Sequence, residues 1–397
     1  MIAVSAPYAA LGEIPIRDGY PTFSQDEIAA RHAALRQAMA QQDMAVAVAY
    51  GAGRFSPETQ YLTNWPGGRE GYFILPVEGE PELLVQLFNH VPMAERLSLV
   101  PRTRWAGSDS ISTVAACIQE RGLEEGRVGL IGSLPFQQRD RLAELLPQAD
   151  LVDLTPAYRS LRLIRSAEEI EFFRAGAELS DRAMEALEEQ LRPSLREYEL
   201  AAIVEQPYLQ AGGYTGIHFM CTTPMADSRV FVPHQYQSDR VIEQGDVLIT
   251  EISGTFWGYS GQIHRTYTVG SGPTPEWERL HAAAVEAYEA IEAVLREAAT
   301  AEDVLDAAEI IQERGYTIYD DLLHGANQYA PILRTRQTDH GYPKGFVFKE
   351  NMVVTIQPQL ITPDQRMGLQ FGETVLITRT GVERLHHYRR ELIVVGG

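Results

Sequence analysis

The chain changes texture at Pro156, and this change divides it into two regions of different construction. Before Pro156, short apolar runs alternate with helical periodicity. Ser24-Gln25-Asp26-Glu27 sets Ser three residues ahead of Glu, the pairing that opens a helix by reciprocal capping. Ile28, Leu35 and Met39 follow at helical spacing, so the helix is expected to close near Gln42. Residues 45–50 are a short apolar run closed by Gly51, which predicts a buried strand. Residues 72–75 and 82–87 predict a strand pair. Residues 128–131 and 151–154 predict two further strands, with a helix over 136–146 between them. Such alternation describes a small α/β domain, assigned to residues 1–158. Its first 20 residues carry scattered Pro and Gly without a period and are expected to form an arm.

After Pro156 the helices lengthen and the strands fall into hairpin order. Ser166-Ala167-Glu168-Glu169 repeats the capping pattern, and Ile170, Phe173, Ala177, Met184 and Leu187 mark the buried stripe of a long helix. Pro193-Ser194-Leu195-Arg196-Glu197 predicts the start of another, ended by Gly212-Gly213. Thr274-Pro275 starts a third. Residues 300–303 cap a fourth, stopped by Gly315. Strands are expected over 246–252, 262–269, 352–356 and 373–378. Helices grouped beside hairpin strands predict an α+β domain over residues 159–397.

Composition removes several classes of function. Lys plus Arg number 34 and Asp plus Glu 54, a net charge of −20, which argues against nucleic acid or an anionic membrane as partner. Cys117 and Cys221 form no CxxC pair, excluding a disulfide scaffold and a Cys-rich zinc site. Residues 1–8 lack the basic and apolar regions of a signal peptide, and no apolar run reaches membrane-spanning length. A cytoplasmic protein acting on a small molecule is the expectation.

Chemistry concentrates in the hairpin. A loop over 254–261 is expected to join its strands. Period-two alternation puts Gln262, His264, Thr266 and Thr268 on one face, with Val247, Ile249 and Glu251 sharing a face of the neighbouring strand. A polar stripe here either lines a site or faces solvent, and spacing alone leaves both open. His234 lies twelve residues before Asp246, and His324 sits in Leu322-Leu323-His324-Gly325.

These blocks, in this order, resemble the pita-bread family, which includes methionine aminopeptidase, Xaa-Pro aminopeptidase, prolidase and creatinase. The resemblance rests on Gly245-Asp246, Glu251, Gln262 and Arg265-Thr266, then His324-Gly325, residues 352–358 and residues 373–378. It implies a C-terminal pita-bread catalytic domain preceded by a smaller α/β N-terminal domain. Metal-dependent members hold two divalent ions through two Asp, one His and two Glu. The matching positions here carry Glu251, Gln262, His324, Gln357, and Gly372 or Glu373. Two neutral amides are poor ligands for hard dications, so no metal and no cofactor are expected; a single weak ion at Glu251 and His324 is the remaining alternative.

Creatinase is the family precedent for metal-free hydrolysis of a C–N bond. The resemblance puts His234 at its catalytic histidine and His264 and Gln357 at substrate-contacting positions. The expected function is therefore metal-independent hydrolysis of a C–N bond in a small, carboxylate-bearing nitrogen compound. His234 is the expected general acid and base, with Glu251, His264 and His324 assisting. Gln262, Gln357 and Glu373 are expected to touch substrate, and Arg334 or Arg336 to clamp its carboxylate. Residues 61–64 and Gly68-Arg69 resemble the segment that carries an arginine across a dimer, which predicts a homodimer with Arg69 reaching the partner's pocket. The alternatives are a non-hydrolytic lyase, an inactive binding homologue and a metal-dependent Xaa-Pro dipeptidase.

Overall fold

A computed structural model of the chain describes residues 11–326, 329–338, 341 and 343–396. The expected arm falls largely outside these residues. Within them, Ile16–Arg17 and Tyr20–Pro21 form a short hairpin.

Ile14–Arg162 is one compact unit, and the remaining described residues form a second. The first unit is built on a six-stranded sheet, in the order Arg102–Trp105, Glu82–Val85, Gly71–Pro76, Met44–Gly51, Arg127–Ile131, Asp150–Asp153. Its central pairs are antiparallel and its outer pairs parallel. The helix Gln25–Ala40 starts where Ser24 Oγ accepts from Glu27 N at 3.0 Å. Short helices at Pro57–Thr63, Val91–Leu97, Ser110–Gln119 and Thr155–Leu161 were not signalled by periodicity. Three are only seven residues long, too short to show a helical repeat.

The second unit is built on a nine-stranded sheet centred on the hairpin Asp246–Phe256 and Tyr259–Val269. Tyr214–Pro224 lies on one side. Gly372–Ile377, Val353–Ile356, Leu323–Gly325 and Tyr329–Leu333 follow on the other. The strands outrun the expected loop. Only Trp257 and Gly258 turn the chain, both at positive φ, as a tight hairpin requires.

The long helix Ala167–Gln190 begins in the full capping box of Ser166 and Glu169 and buries all five residues of the expected stripe. It lies directly on one face of the hairpin. A Cβ on Gly261 would stand 2.3 Å from Ala177 Cα, so only glycine allows the backbones to approach this closely. Ser180 Oγ receives Gly254 N at 2.8 Å and fastens helix to hairpin. On the opposite face, Val247 and Ile249 join a core with Trp277, Leu280 and Tyr288 of the helix Pro275–Val294.

Two expected helices are corrected. The one predicted from Pro193 runs only over Glu199–Gln210. The buried Glu197 carboxylate instead accepts from Thr222 N at 2.7 Å and Ser238 N at 3.1 Å, holding the preceding turn out of the helix. The fourth is broken into Ala301–Ala307 and Ile310–Glu313. No helix of the described residues is long and apolar enough to cross a membrane.

Candidate functional site

Strand register decides which hairpin side chains meet. Glu251 pairs with His264 and Ser253 with Gln262, so Glu251, Gln262 and His264 project from the same face. That face is not solvated: Glu251 is 5 %, Gln262 6 % and His264 0 % exposed. Leu323–Gly325 and Val353–Ile356 pair side by side and bring His324 and Gln357 to the same region. A cavity of about 360 Å³ results, with Glu251, Asp320, Asp321, His324, Arg334 and Gln357 as its polar walls.

Glu251 is the best-connected group. Its Oε1 accepts from Gln262 Nε2 at 2.6 Å and its Oε2 from Gln370 Nε2 at 3.1 Å. His264 Nε2 stands 4.0 Å from Oε2. Burial, then the charge of Asp320, pushes the Glu251 carboxyl up to about 7, against the two amide bonds that favour its ionised form. Burial likewise raises Asp320. Burial and the neighbouring His324 and Arg265 hold His264 well below the ordinary histidine range, so its ring is neutral.

His324 Nδ1 lies 2.9 Å from Gly325 O, which places a proton on Nδ1. Its Nε2 lies 3.1 Å from the Gln357 amide. A neutral ring offers a lone pair there and meets the amide nitrogen; an imidazolium meets the amide oxygen. Gln357 can serve either charge state, which a carboxylate could not do equally.

A second cavity, of about 240 Å³, is lined by Ser253, Ser260, Gln262, Thr355 and Thr374. Gln262 therefore lines one cavity while bonded to Glu251, which lines the other.

Several expected placements are corrected. Glu373 does not face either cavity. Gly372 pairs with His264 and Glu373 with Ile263, so alternation turns the Glu373 side chain to the other face. There it accepts from Arg265 at 2.5 Å and Arg390 at 2.9 Å, and also from Arg384. Arg336 pairs with Asp306 and Glu309, and Arg334 is the one of the two that lines the cavity, donating to Asp321 at 2.9 Å. His234 is exposed. Its neighbours Pro233 and Gln235 line the cavity, while its own carbonyl accepts from Met220 N at 3.1 Å. Arg69 is exposed on a loop of the N-terminal unit, where its carbonyl accepts from Gly53 N at 3.1 Å.

Two residues at the site carried no signal strong enough to single them out. Gln370 is a buried amide between Leu369 and Phe371, and Asp320 belongs to an acidic pair four residues before His324. A polar residue inside an apolar run is the only mark of the first.

The five positions of a pita-bread dinuclear centre are therefore Glu251, Gln262, His324, Gln357 and Gly372. They do not fit two dications. Gln262 and Gln370 point N–H groups at Glu251, donors where a cation requires acceptors. Gly372 supplies no ligand, and a Cβ there would lie 2.1 Å from Ile356 O. Among the described residues no group of three His, Cys, Asp or Glu is placed to hold a metal ion.

The metallopeptidase family M24 signature matches residues 171–379, and the creatinase/prolidase N-terminal domain signature matches residues 31–164. An Xaa-Pro dipeptidase of Pyrococcus furiosus is 29 % identical over 327 residues, covering 81 % of this chain and 89 % of that protein. The solved prolidase structure from Pyrococcus furiosus superposes with a TM-score of 0.75 at 25 % identity, over 89 % of this chain and 100 % of that one. An Xaa-Pro dipeptidase structure from Bacillus anthracis shares the fold, with a TM-score of 0.80 at 21 % identity over 93 % of this chain and 100 % of that one.

Proposed function

Since the chain belongs to metallopeptidase family M24, we propose that it is a hydrolase that keeps the family fold and works without the family's metal centre. Its substrate in this reading is a small nitrogen compound bearing a carboxylate, cleaved at a C–N bond. The observation that carries the reading is the donor set itself: one carboxylate, two amides, one imidazole and a glycine where five ligands would stand.

Without a Lewis acid, the proton must be moved by a side chain titrating near neutrality. Glu251, raised to about 7, meets that requirement and opens onto the cavity, whereas His234 is exposed. Glu251 takes a proton from water and returns it to the departing nitrogen. An N–H of Gln357, on the cavity wall, stabilises the oxyanion. Arg334 offers the guanidinium for a substrate carboxylate. The activity in the relatives' names, Xaa-Pro dipeptide hydrolysis, is the second reading and is favoured by their similarity along most of the chain.

Elemental analysis separates the two. Purified protein is expected to hold less than one transition-metal ion per chain and to keep its turnover through chelation. Turnover is read on a panel of N-acyl amino acids, guanidino acids and Xaa-Pro dipeptides. Two tightly bound ions per chain, with activity lost on chelation, would restore the dipeptidase reading. The proposal also carries a homodimer, expected to sediment at twice the chain mass of 44.3 kDa. A monomer at assay concentration would remove any role for Arg69 in a partner's pocket.

A further inference from the structure

The smaller cavity differs in chemistry from its neighbour. Carboxylates and a guanidinium wall the larger one. Among the described residues that line the smaller, none is charged, and its polar groups are Ser253, Ser260, Gln262, Thr355 and Thr374. Its 240 Å³ would hold roughly eight water molecules at about 30 Å³ each, so a group of several non-hydrogen atoms fits. Strand register makes Ser253 and Gln262 neighbours on its wall, and both are buried. The Nε2 of Gln262 is committed to Glu251, so the acceptor Oε1 is what its amide has left for the cavity. Among the described residues the Ser253 hydroxyl makes no hydrogen bond. Ser260 Oγ and Thr255 Oγ1 share one hydrogen across 2.7 Å, which leaves the pair a second hydrogen to give. A strand bulge completes the wall. Ser253 pairs with Ile217 and Gly254 with Thr215, and Gly216 is the extra residue between them. A Cβ on Gly216 would stand 2.5 Å from Thr255 Oγ1, so backbone alone fits there.

We propose that the smaller cavity is a binding site for an uncharged amide, a carboxamide or a ureido group. Each other class of group meets a fault there. A carboxylate meets the Gln262 oxygen, acceptor against acceptor. A cation gives up its water and finds no acid on the wall. A hydrocarbon leaves Gln262 Oε1 and the Ser253 hydroxyl without partners. An amide satisfies both kinds of group at once. Its N–H donates to Gln262 Oε1, and its carbonyl oxygen accepts from the hydroxyls of Ser253 and Ser260.

Position 262 makes this selectivity. An aspartate there would set a carboxylate on the wall and favour a cation. The glutamine instead spends its nitrogen on Glu251, which lines the larger cavity, and shows its oxygen to the smaller one.

The site also narrows the substrate class, a step that rests on the hydrolase reading above. The substrate is a ureido or carboxamido acid rather than a guanidino acid. Its carboxylate meets Arg334 in the larger cavity, and its uncharged end enters the smaller.

Pairs of compounds that share a shape and differ in charge provide the test. Crystals of the full chain are soaked at pH 7 with acetamide and, separately, with acetamidinium. Acetamide is expected in the smaller cavity with its nitrogen on Gln262 Oε1. Acetamidinium in that place, or waters alone in the acetamide soak, would overturn the proposal. Calorimetry then compares N-carbamoylglycine with guanidinoacetate, which differ only in the charge of the end remote from the carboxylate. The ureido acid is expected to bind at least about 10-fold more tightly. Equal or reversed affinities, or no binding of the ureido acid, count against the site. Ser253→Ala deletes one hydroxyl and adds no bulk. It should weaken N-carbamoylglycine about 3–10-fold and leave guanidinoacetate unchanged. An unaltered affinity, or an equal loss for both compounds, would show that the hydroxyl does not face the ligand. If Ser253→Ala fails to fold, Thr355→Val replaces a second hydroxyl of the wall by a methyl of the same shape, with the same expected result. Binding is read here without turnover, so the two readings fail separately. A ureido acid that seats in the cavity and is never cleaved would keep this site and discard the hydrolase. Cleavage of guanidinoacetate with weak ureido binding would do the reverse.

Discussion

Glu373→Gln is expected to destabilise the chain by about 3–5 kcal/mol, the range found when one partner of a buried ion pair is removed. Glu373 is fully buried and gathers three guanidinium groups, from Arg265, Arg384 and Arg390, with Tyr288 OH at 3.4 Å. Arg384 and Arg390 are partly exposed and can turn to water. Arg265 cannot. It is 1 % exposed and spans the sheet to the carbonyls of Gly372 and Arg389. The amide would leave its charge buried and unpaired. Burial opposes ionisation of Glu373, but the Arg265 charge outweighs it and holds the carboxyl far below the ordinary range. The sign follows from that depression. The stabilisation is complete above the unfolded carboxyl pKa and disappears as pH falls through the folded value. Urea unfolding should therefore show a gap between wild type and variant that is full at pH 7 and narrows in acid. A gap below about 1 kcal/mol at pH 7 would mean that the cluster is a surface-type network.

Glu251→Gln is expected to lower kcat by roughly 10²–10⁴-fold, the usual contribution of a positioned acid or base. His234→Ala, at an exposed position, should lose far less. Equal losses in the two variants would return the proton-transfer role to His234. Wild-type turnover should rise with pH through about 7, because the ionised carboxylate is the active form. Stability runs the other way. A carboxyl raised in the folded state favours folding most at pH below its unfolded value, and that advantage is lost as pH climbs through about 7. With Glu251 as the proposed base, ionisation comes at the expense of the fold, and activity and stability should diverge across the same interval.

The outline of the protein was legible because its signals are periodic. The capping boxes at Ser24 and Ser166 began helices where expected; of the polar stripe on the hairpin, Gln262 lines a cavity while His264, Thr266 and Thr268 are buried, and Glu251 of the facing strand lines another. Failures came where one residue of register decides. Nothing local distinguishes Gly372 facing His264 from Glu373 facing it; only pairing with the neighbouring strands does. Arg334 and Arg336 share strand parity, so alternation could not separate them. The surrounding charges do, since Asp321 stands at the cavity and Asp306 away from it. Glu197 reads as a first-turn helical residue until Thr222 and Ser238, distant in sequence, claim its carboxylate. Gln370 was invisible because its role depends entirely on a residue 119 positions earlier.

The crowding at Gly372 sets the fifth ligand position apart from the other four. Gln262→Asp and Gln357→Glu restore charge at two positions by altering side chains alone. The fifth position is different, because the carbonyl of Ile356 occupies the space its first side-chain carbon would need. Regaining that ligand means moving a strand, and the strand is Gly372–Ile377, which carries Glu373 and its three arginines. The ion cluster at the back of the sheet thus limits what the front can accept at this position. Substitutions made one at a time can therefore return charge to two of the five positions, but no single substitution supplies the fifth ligand.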